Sequence, residues 1–383
     1  MSGTRTKFKY NCWDFVFTCV GLPLFVLDVV LDVLAAVSFY KERAYVYLGV
    51  LVLFLLGSSL LTQAYSWLWY SYDDFERKTK VEKLPSPRQL KLLHVFQLGI
   101  YFSRHTGSSA DEQEPDSESI AVSLNHDLSM LRIIETFAES APQLTLMLTI
   151  ILHKQESILL AVGSASAIAF AVTTYHRSLR SFLVDKKKQN ITSSVIYFIW
   201  NLVLISSRLT ALALFASVLP CFIFAHFICS WLVLFFFAWR SKTEFMESPC
   251  GEWLYRATVG LIWYFDWFNV AEGKTRYRTV LYHGYMLTDI CILCAVWCWK
   301  MSTDPPDFVI EPTYALITAV CVVVVYILGL ILKVIYYKSF HPNLDSDEQQ
   351  SVDQVDFRMM SSATEVSAHY NKRMRKLAKN FYS

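Results

Sequence analysis

Apolar residues run in long unbroken blocks along the chain, and polar residues gather in the stretches between them. Blocks of roughly 20 to 28 residues lie near 13–40, 45–72, 124–152, 157–182, 193–218, 220–240, 277–300 and 311–337, each long enough to cross a hydrocarbon core as a helix. The blocks predict helices because a segment in lipid must satisfy its backbone N–H and C=O groups within itself. Two more apolar stretches, 91–105 and 253–271, are shorter or are interrupted by polar residues, and are read as re-entrant. The expected fold is all-α and polytopic, with about eight transmembrane helices and two half-crossing helices.

Basic residues orient these blocks, since Lys and Arg collect on the cytosolic side of short loops. Arg77, Lys78, Lys80, Lys83, Arg88 and Lys91 follow the second block, and Arg177, Arg180 and Lys186 to Lys188 surround the end of the fourth. Both turns read as cytosolic, as do Lys274, Arg276 and Arg278 once 253–271 dips and returns. Lys41 to Arg43 and the turn Asp304-Pro305-Pro306 then face outward, and both termini are cytosolic, with Arg5, Lys7 and Lys9 holding the first. Three regions result: an N-terminal membrane repeat over 1–185 with an acidic cytosolic loop at 106–120, a C-terminal membrane repeat over 193–337, and a cytosolic tail over 341–383. Hydropathy order alone suggests that the two membrane regions are parallel repeats.

Composition agrees with a membrane protein. The chain is 54% hydrophobic, 15% aromatic and 18% charged, too apolar for a soluble globule. The first block is too long for the apolar region of a signal peptide and contains acids, so it is expected to stay as a span. Cys12, Cys19, Cys221, Cys229, Cys250, Cys291, Cys294, Cys298 and Cys321 lie almost entirely inside apolar blocks, which predicts reduced thiols used in packing. No phosphate-cradling Gly-Lys-Ser/Thr loop, nucleophile constellation, zinc-spaced ligand set or nucleic-acid-binding pattern stands out. No enzyme, metal site or cofactor is expected, and any transport is expected to be passive. His94, His126 and His283 read as packing or rim residues, and the sequon Asn190-Ile-Thr192 falls in a cytosolic turn.

Charges inside the apolar blocks carry the functional signal. Asp14, Asp28 and Asp32 fall within about 40° of one another on a regular helix, and Arg132, Glu135 and Glu139 within about 60°. A carboxylate at the centre of a membrane helix costs about 2.5–3.5 kcal/mol on insertion scales, so such faces should turn toward basic partners or water. Asp127, Asp266 and Asp289 add acids, and Arg104, Arg177, Arg180 and Arg208 supply cations. The bland reading is structural ion pairing between helices. The functional one is a polar track that spares a lipid headgroup full desolvation.

Several segments carry a likeness to a known family. Asp127-Leu-Ser-Met-Leu-Arg132-Ile-Ile-Glu135-Thr-Phe with Glu139 and Ala141-Pro142-Gln143-Leu144 is the first, and Ser193-Ser-Val-Ile-Tyr-Phe-Ile-Trp200-Asn201 the second. Glu252-Trp-Leu-Tyr-Arg256 and Trp267-Phe-Asn269-Val-Ala-Glu272-Gly-Lys-Thr-Arg276 complete the set. Together they resemble the XK-related membrane proteins, within their apoptotic, caspase-activated branch, over most of the chain. The resemblance implies eight spans with two half-crossing helices. It also implies energy-independent phospholipid scrambling that exposes phosphatidylserine at the plasma membrane, and a charge network or lipid path that includes Asp14, Asp28, Asp32, Asp127, Glu135, Glu139 and Arg177. Arg104, Arg132 and Arg208 join that candidate set as basic members. Two departures stand out: Thr174 occupies a position where close relatives carry an acid, and Arg104 sits one residue later than the pattern.

The tail holds Asp353-Gln354-Val355-Asp356 followed by Phe357, which fits an executioner-caspase site with the cut after Asp356. Cleavage there would release 357–383, including the basic stretch Lys372 to Lys379. Expected partners are membrane phospholipids including phosphatidylserine, an executioner caspase and, as for some similar proteins, a single-span immunoglobulin-type chaperone subunit. Two other functions compete: an ion-coupled transporter or channel using Asp28 and Asp32, and a non-transporting partner that escorts a second membrane protein.

Overall fold

The computed structural model describes residues 29–72, 117–154, 159–182, 189–241, 243, 245–270, 276–304 and 311–340. Helix covers nearly all of them, and no strand occurs among them. Residues 29–41 form α1. The chain then turns through Arg43, whose φ of 58° is left-handed, while Ala44 N–H closes on the Phe39 carbonyl at 2.9 Å. The remaining helices are α2 (Tyr45–Tyr72), α3 (Ser117–Glu135), α4 (Ala141–Lys154), α5 (Leu159–Phe182), α6 (Ile191–Val218), α7 (Phe222–Arg240), α8 (Pro249–Phe265), α9 (Arg276–Thr303) and α10 (Pro312–Ile335). Five stretches among the described residues are long and apolar enough to cross a membrane: Tyr45–Trp69, Ile191–Val218, Phe222–Arg240, Arg276–Thr303 and Pro312–Phe340.

The block at 124–152, expected as one span, contains an irregularity. A π turn, Thr136–Ser140, separates α3 from α4 and is followed at once by Pro142. Proline has no N–H to give to the carbonyl four residues back, at Ala138, and its ring crowds that turn. Widening the turn by one residue is a common way for a helix to absorb the defect. The regular-helix arc that joins Glu139 to Arg132 and Glu135 does not carry through this turn unchanged.

The stretch 253–271, read as half-crossing, contains a 17-residue helix, α8, preceded and followed by non-helical chain. Ser248 caps α8 by accepting from Gly251 N–H at 3.1 Å, and Pro249 occupies its first turn, where a missing N–H does no harm. Glu252 binds the preceding loop, accepting from the Met246 N–H at 2.7 Å and from the Thr243 hydroxyl, while Arg256 one turn on donates to the Thr243 carbonyl at 2.9 Å. The motif Glu252-Trp-Leu-Tyr-Arg256 is thus a clamp that fixes where the short helix begins.

The chain divides into two compact units, 1–140 with 170–188 and 141–169 with 189–383. In the first, α2 packs on α3 and on the π turn. In the second, α6 is the central helix: it packs on α4, α9 and α10, and 67% of its most apolar window is buried, against 17% for α7. Helices α7 and α8 form a tightly apposed pair. A Cβ on Gly260 would stand 3.1 Å from the Phe235 backbone nitrogen and 3.2 Å from its Cα, so a larger residue would have to push the two helices slightly apart. Exposed Phe224, Ile228, Leu232 and Phe236 cover the outward side of α7, as expected of a lipid-facing helix.

Candidate functional site: buried charges in two membrane units

In the first unit, ionisable side chains lie inside the helices' packing. Asp32 on α1, Asp127 on α3 and Glu139 in the π turn are all buried, as are Arg177 and Arg180 near the end of α5. Arg132 and Glu135 are half-buried. The rings of His126 and Tyr175 stand 5.7 Å apart, which brings the Asp127 segment of α3 against the Arg177 segment of α5. Thr173, Tyr175, His176, Arg177, Ser178, Leu179 and Arg180 are all buried, so this half of α5 is enclosed around its circumference even though it carries two guanidinium groups. Helices of this composition belong in a bundle interior, where charges meet one another and not lipid. Asp14, Asp28, Arg104 and the tetrapeptide Asp353 to Asp356 lie outside the described residues.

In the second unit, Arg208 is 1% exposed on the central helix α6. Its Nη1 donates to Asp289 Oδ2 of α9 at 2.5 Å and its Nε donates to the Tyr264 carbonyl of α8 at 3.1 Å, with the guanidinium 5.0 Å from the Tyr264 ring centre. The other Asp289 oxygen meets His226 Nε2 of α7 at 3.1 Å, and His226 Nδ1 meets the Tyr264 hydroxyl at 2.9 Å. Four helices therefore contribute to one hydrogen-bonded group, with Arg208 and His226 on the two oxygens of Asp289 and Tyr264 bridging behind them. Both nitrogens of a neutral imidazole are satisfied here if Nε2 carries the proton toward Asp289 and Nδ1 accepts from Tyr264.

A second polar group occupies another level of the same unit. Lys333 Nζ donates to His283 Nε2 at 2.8 Å, His283 Nδ1 pairs with the Tyr326 hydroxyl at 2.9 Å, and the ammonium lies 4.8 Å from the Trp200 ring centre. Asp266, in the chain leaving α8, is buried, and its Oδ1 accepts from the Trp267 N–H at 2.8 Å. Where the chain enters α6, Gln189 Nε2 donates to the Tyr336 hydroxyl at 3.0 Å, and Ser193 Oγ lies 3.4 Å from the same oxygen.

Sequence reasoning found Arg208 but did not assign it to Asp289, and it passed over His226, Tyr264 and Lys333. His283, read as a packing or rim residue, is buried and packed, and it also accepts from an ammonium. A signal for part of this was present: His226 with Ser230, and Tyr285 with Asp289, are polar pairs four residues apart in otherwise apolar helices. Among the described residues no group of three or more His, Cys, Asp or Glu side chains is arranged to hold a metal ion. The seven described cysteines are free thiols; Cys294 is buried, and Cys298 Sγ lies 3.6 Å from the Ala315 carbonyl.

A model of the XK-related protein family matches residues 16–342. The chain is 42% identical over 401 aligned residues to XK-related protein 8 of Tetraodon nigroviridis, covering 98% of each chain. It is 44% identical over 353 residues to XK-related protein 8 of Gasterosteus aculeatus, covering 88% of this chain and 86% of that one. It is 37% identical over 382 residues to XK-related protein 8 of Pan troglodytes, covering 96% and 94%.

Proposed function

The chain belongs to the XK-related family, and from that premise we propose that it is an energy-independent phospholipid scramblase of the plasma membrane, with no covalent chemistry of its own. The observation that carries the reading is the set of buried charges in the first unit, Asp32, Asp127, Glu139, Arg177 and Arg180, on several helices of a multi-pass membrane protein. Moving a zwitterionic or anionic headgroup through hydrocarbon strips its water, at a cost of many kcal/mol, and a polar track of mixed sign lowers that barrier for both leaflets equally. Such a track needs no nucleotide. It dissipates a lipid gradient, so its physiological output is phosphatidylserine at the cell surface.

Control falls to the tail. With both termini cytosolic, the segment Asp353-Gln354-Val355-Asp356 is offered to an executioner caspase, and a cut after Asp356 removes 357–383 and its basic stretch. A single-span immunoglobulin-type subunit would serve as its membrane companion. The test uses protein ending at Asp356, purified with any membrane subunit that accompanies it and placed in liposomes without nucleotide. It should equilibrate fluorescent phosphatidylserine between leaflets, while full-length protein with Asp353 and Asp356 replaced by Ala should stay inactive in caspase-treated cells. Absence of lipid movement by the truncated protein removes the reading.

A further inference from the structure

Burial along the last two turns of α3 follows helical phase closely. Leu128, Arg132 and Glu135, which fall within about 60° of one another, are the half-buried residues of 127–135. On the side of Glu135 away from Arg132, Leu131 lies about 40° off and Asp127 about 80° off. These two are buried, at 2% and 8% exposed. Glu139 breaks the pattern: a regular helix would set it inside the half-buried arc, about 40° from Glu135 toward Arg132, yet it is 8% exposed.

The π turn, Thr136–Ser140, accounts for the departure. Its hydrogen bonds reach five residues and not four, so each residue turns through less than the regular angle of about 100°. Over the four steps from Glu135 the lag grows to roughly 70°, which carries Glu139 out of the arc to the Leu131 side. There it lies about 50° from Asp127, where a regular helix would hold the two about 120° apart. The inserted residue thus regroups the acids: Glu139 leaves the face of Arg132 and joins the buried face of Asp127. Nothing in Thr136–Ser140 itself asks for a wide turn, whereas Pro142 does, since it has no N–H for the Ala138 carbonyl. We propose that Pro142 is a positioning residue for headgroup transport: by holding the π turn it places the Glu139 carboxylate on the same buried face as Asp127. The two acids then stand about 18 Å apart along the axis, more than half of a hydrocarbon core of about 30 Å, so one face offers a passing headgroup two acidic stations. This role deepens the scramblase reading and rests on it for what the face carries.

The experiment uses the full chain in liposomes, treated with a lipid-soluble carbodiimide that modifies carboxyl groups within its reach, with Glu135 and Glu139 read separately by mass spectrometry. In the parent, Glu135 should be modified severalfold more than Glu139. Pro142→Ala lets the helix close regularly, so modification of Glu139 should rise to that of Glu135. Lipid equilibration by the same variant ending at Asp356 should slow about tenfold, the loss expected of one misplaced charged contact. Combining Pro142→Ala with deletion of Ala138 takes out the inserted residue and leaves the carboxylate on the Asp127 side of a regular helix, about 60° from Glu135. This shorter protein should regain both the protection of Glu139 and the lipid movement, which a proline needed only for folding does not predict. Glu139 modification unmoved by Pro142→Ala, or a deletion that fails to restore its protection, overturns the proposal. So does normal lipid movement alongside an unprotected Glu139. If Pro142→Ala does not fold, the deletion variant decides: it should fold with Glu139 protected, and failure to do so overturns the proposal. Absence of lipid movement by the parent ending at Asp356 defeats the scramblase reading and the transport role with it, while the modification pattern still decides whether Pro142 sets the place of Glu139.

Discussion

The two membrane units bury charge in different ways. In the first, acids and arginines come from α1, α3, the π turn and α5, and the arginine-bearing half of α5 is buried. In the second, Arg208, Asp289, His226 and Tyr264 form one compact knot in which a single carboxylate takes two partners through its two oxygens. A knot of this kind is stiff, because each member fixes the next and loss of one strands another away from water. A spread of charges gathered from several helices can rearrange with less penalty. The comparison teaches where stability and transport should separate: substitutions in the knot should act first on folding, and substitutions in the spread first on lipid movement.

The largest expected effect tests the knot. Arg208→Ala leaves the half-buried Asp289 without its main partner and should destabilise the protein by about 3 kcal/mol, read as lost thermal stability in detergent and lower membrane yield. If stability were unchanged, the second unit would have no special claim to rigidity. Next comes Gly260→Ala, which drives a methyl into the Phe235 backbone and should cost about 1–3 kcal/mol by the same assay, with headgroup transport falling only in proportion to folded protein. Glu139→Gln, in the first unit, should leave the melting temperature close to the parent's while slowing lipid equilibration in liposomes about tenfold. A mutant that melts early but scrambles normally would reverse the contrast between the units. The smallest is Tyr336→Phe, which removes the hydroxyl shared by Gln189 and Ser193 and should cost about 1 kcal/mol per hydrogen bond lost.

Much of the fold was legible because lipid leaves few options. The blocks at 45–72, 193–218, 220–240, 277–300 and 311–337 correspond to α2, α6, α7, α9 and α10, with boundaries displaced by a few residues at most where charged or proline positions mark the ends. The π turn was hidden, since Pro142 announces a defect in a helix without saying whether the chain kinks, breaks or widens. The site was legible only as a list. Helical phase grouped Asp14 with Asp28 and Asp32, and Arg132 with Glu135 and Glu139; of these, Asp32 and Glu139 are buried and Arg132 and Glu135 half-buried, while the π turn alters the phase of Glu139. Pairing across helices was not legible: Arg208 and Asp289 are 81 positions apart, and no periodicity within one helix speaks of its neighbour. His226 was missed for a related reason, because one histidine in an aromatic-rich span looks like any other packed ring until Asp289 and Tyr264 are seen on its two nitrogens.

The hydroxyl of Tyr336 gives the last helix an anchor at its exit. Tied to Gln189 and Ser193 and packed against the rings of Tyr197 and Trp200, that residue fastens the final turn to the beginning of α6. The chain beyond residue 340 thus leaves from a turn fastened to the beginning of α6. Trimming the polypeptide at the proposed cut would remove none of these partners, as cutting a mooring rope leaves the bollard, so the proposed tail signal is expected to act by what the terminal residues cover or touch and not by pulling on the helix.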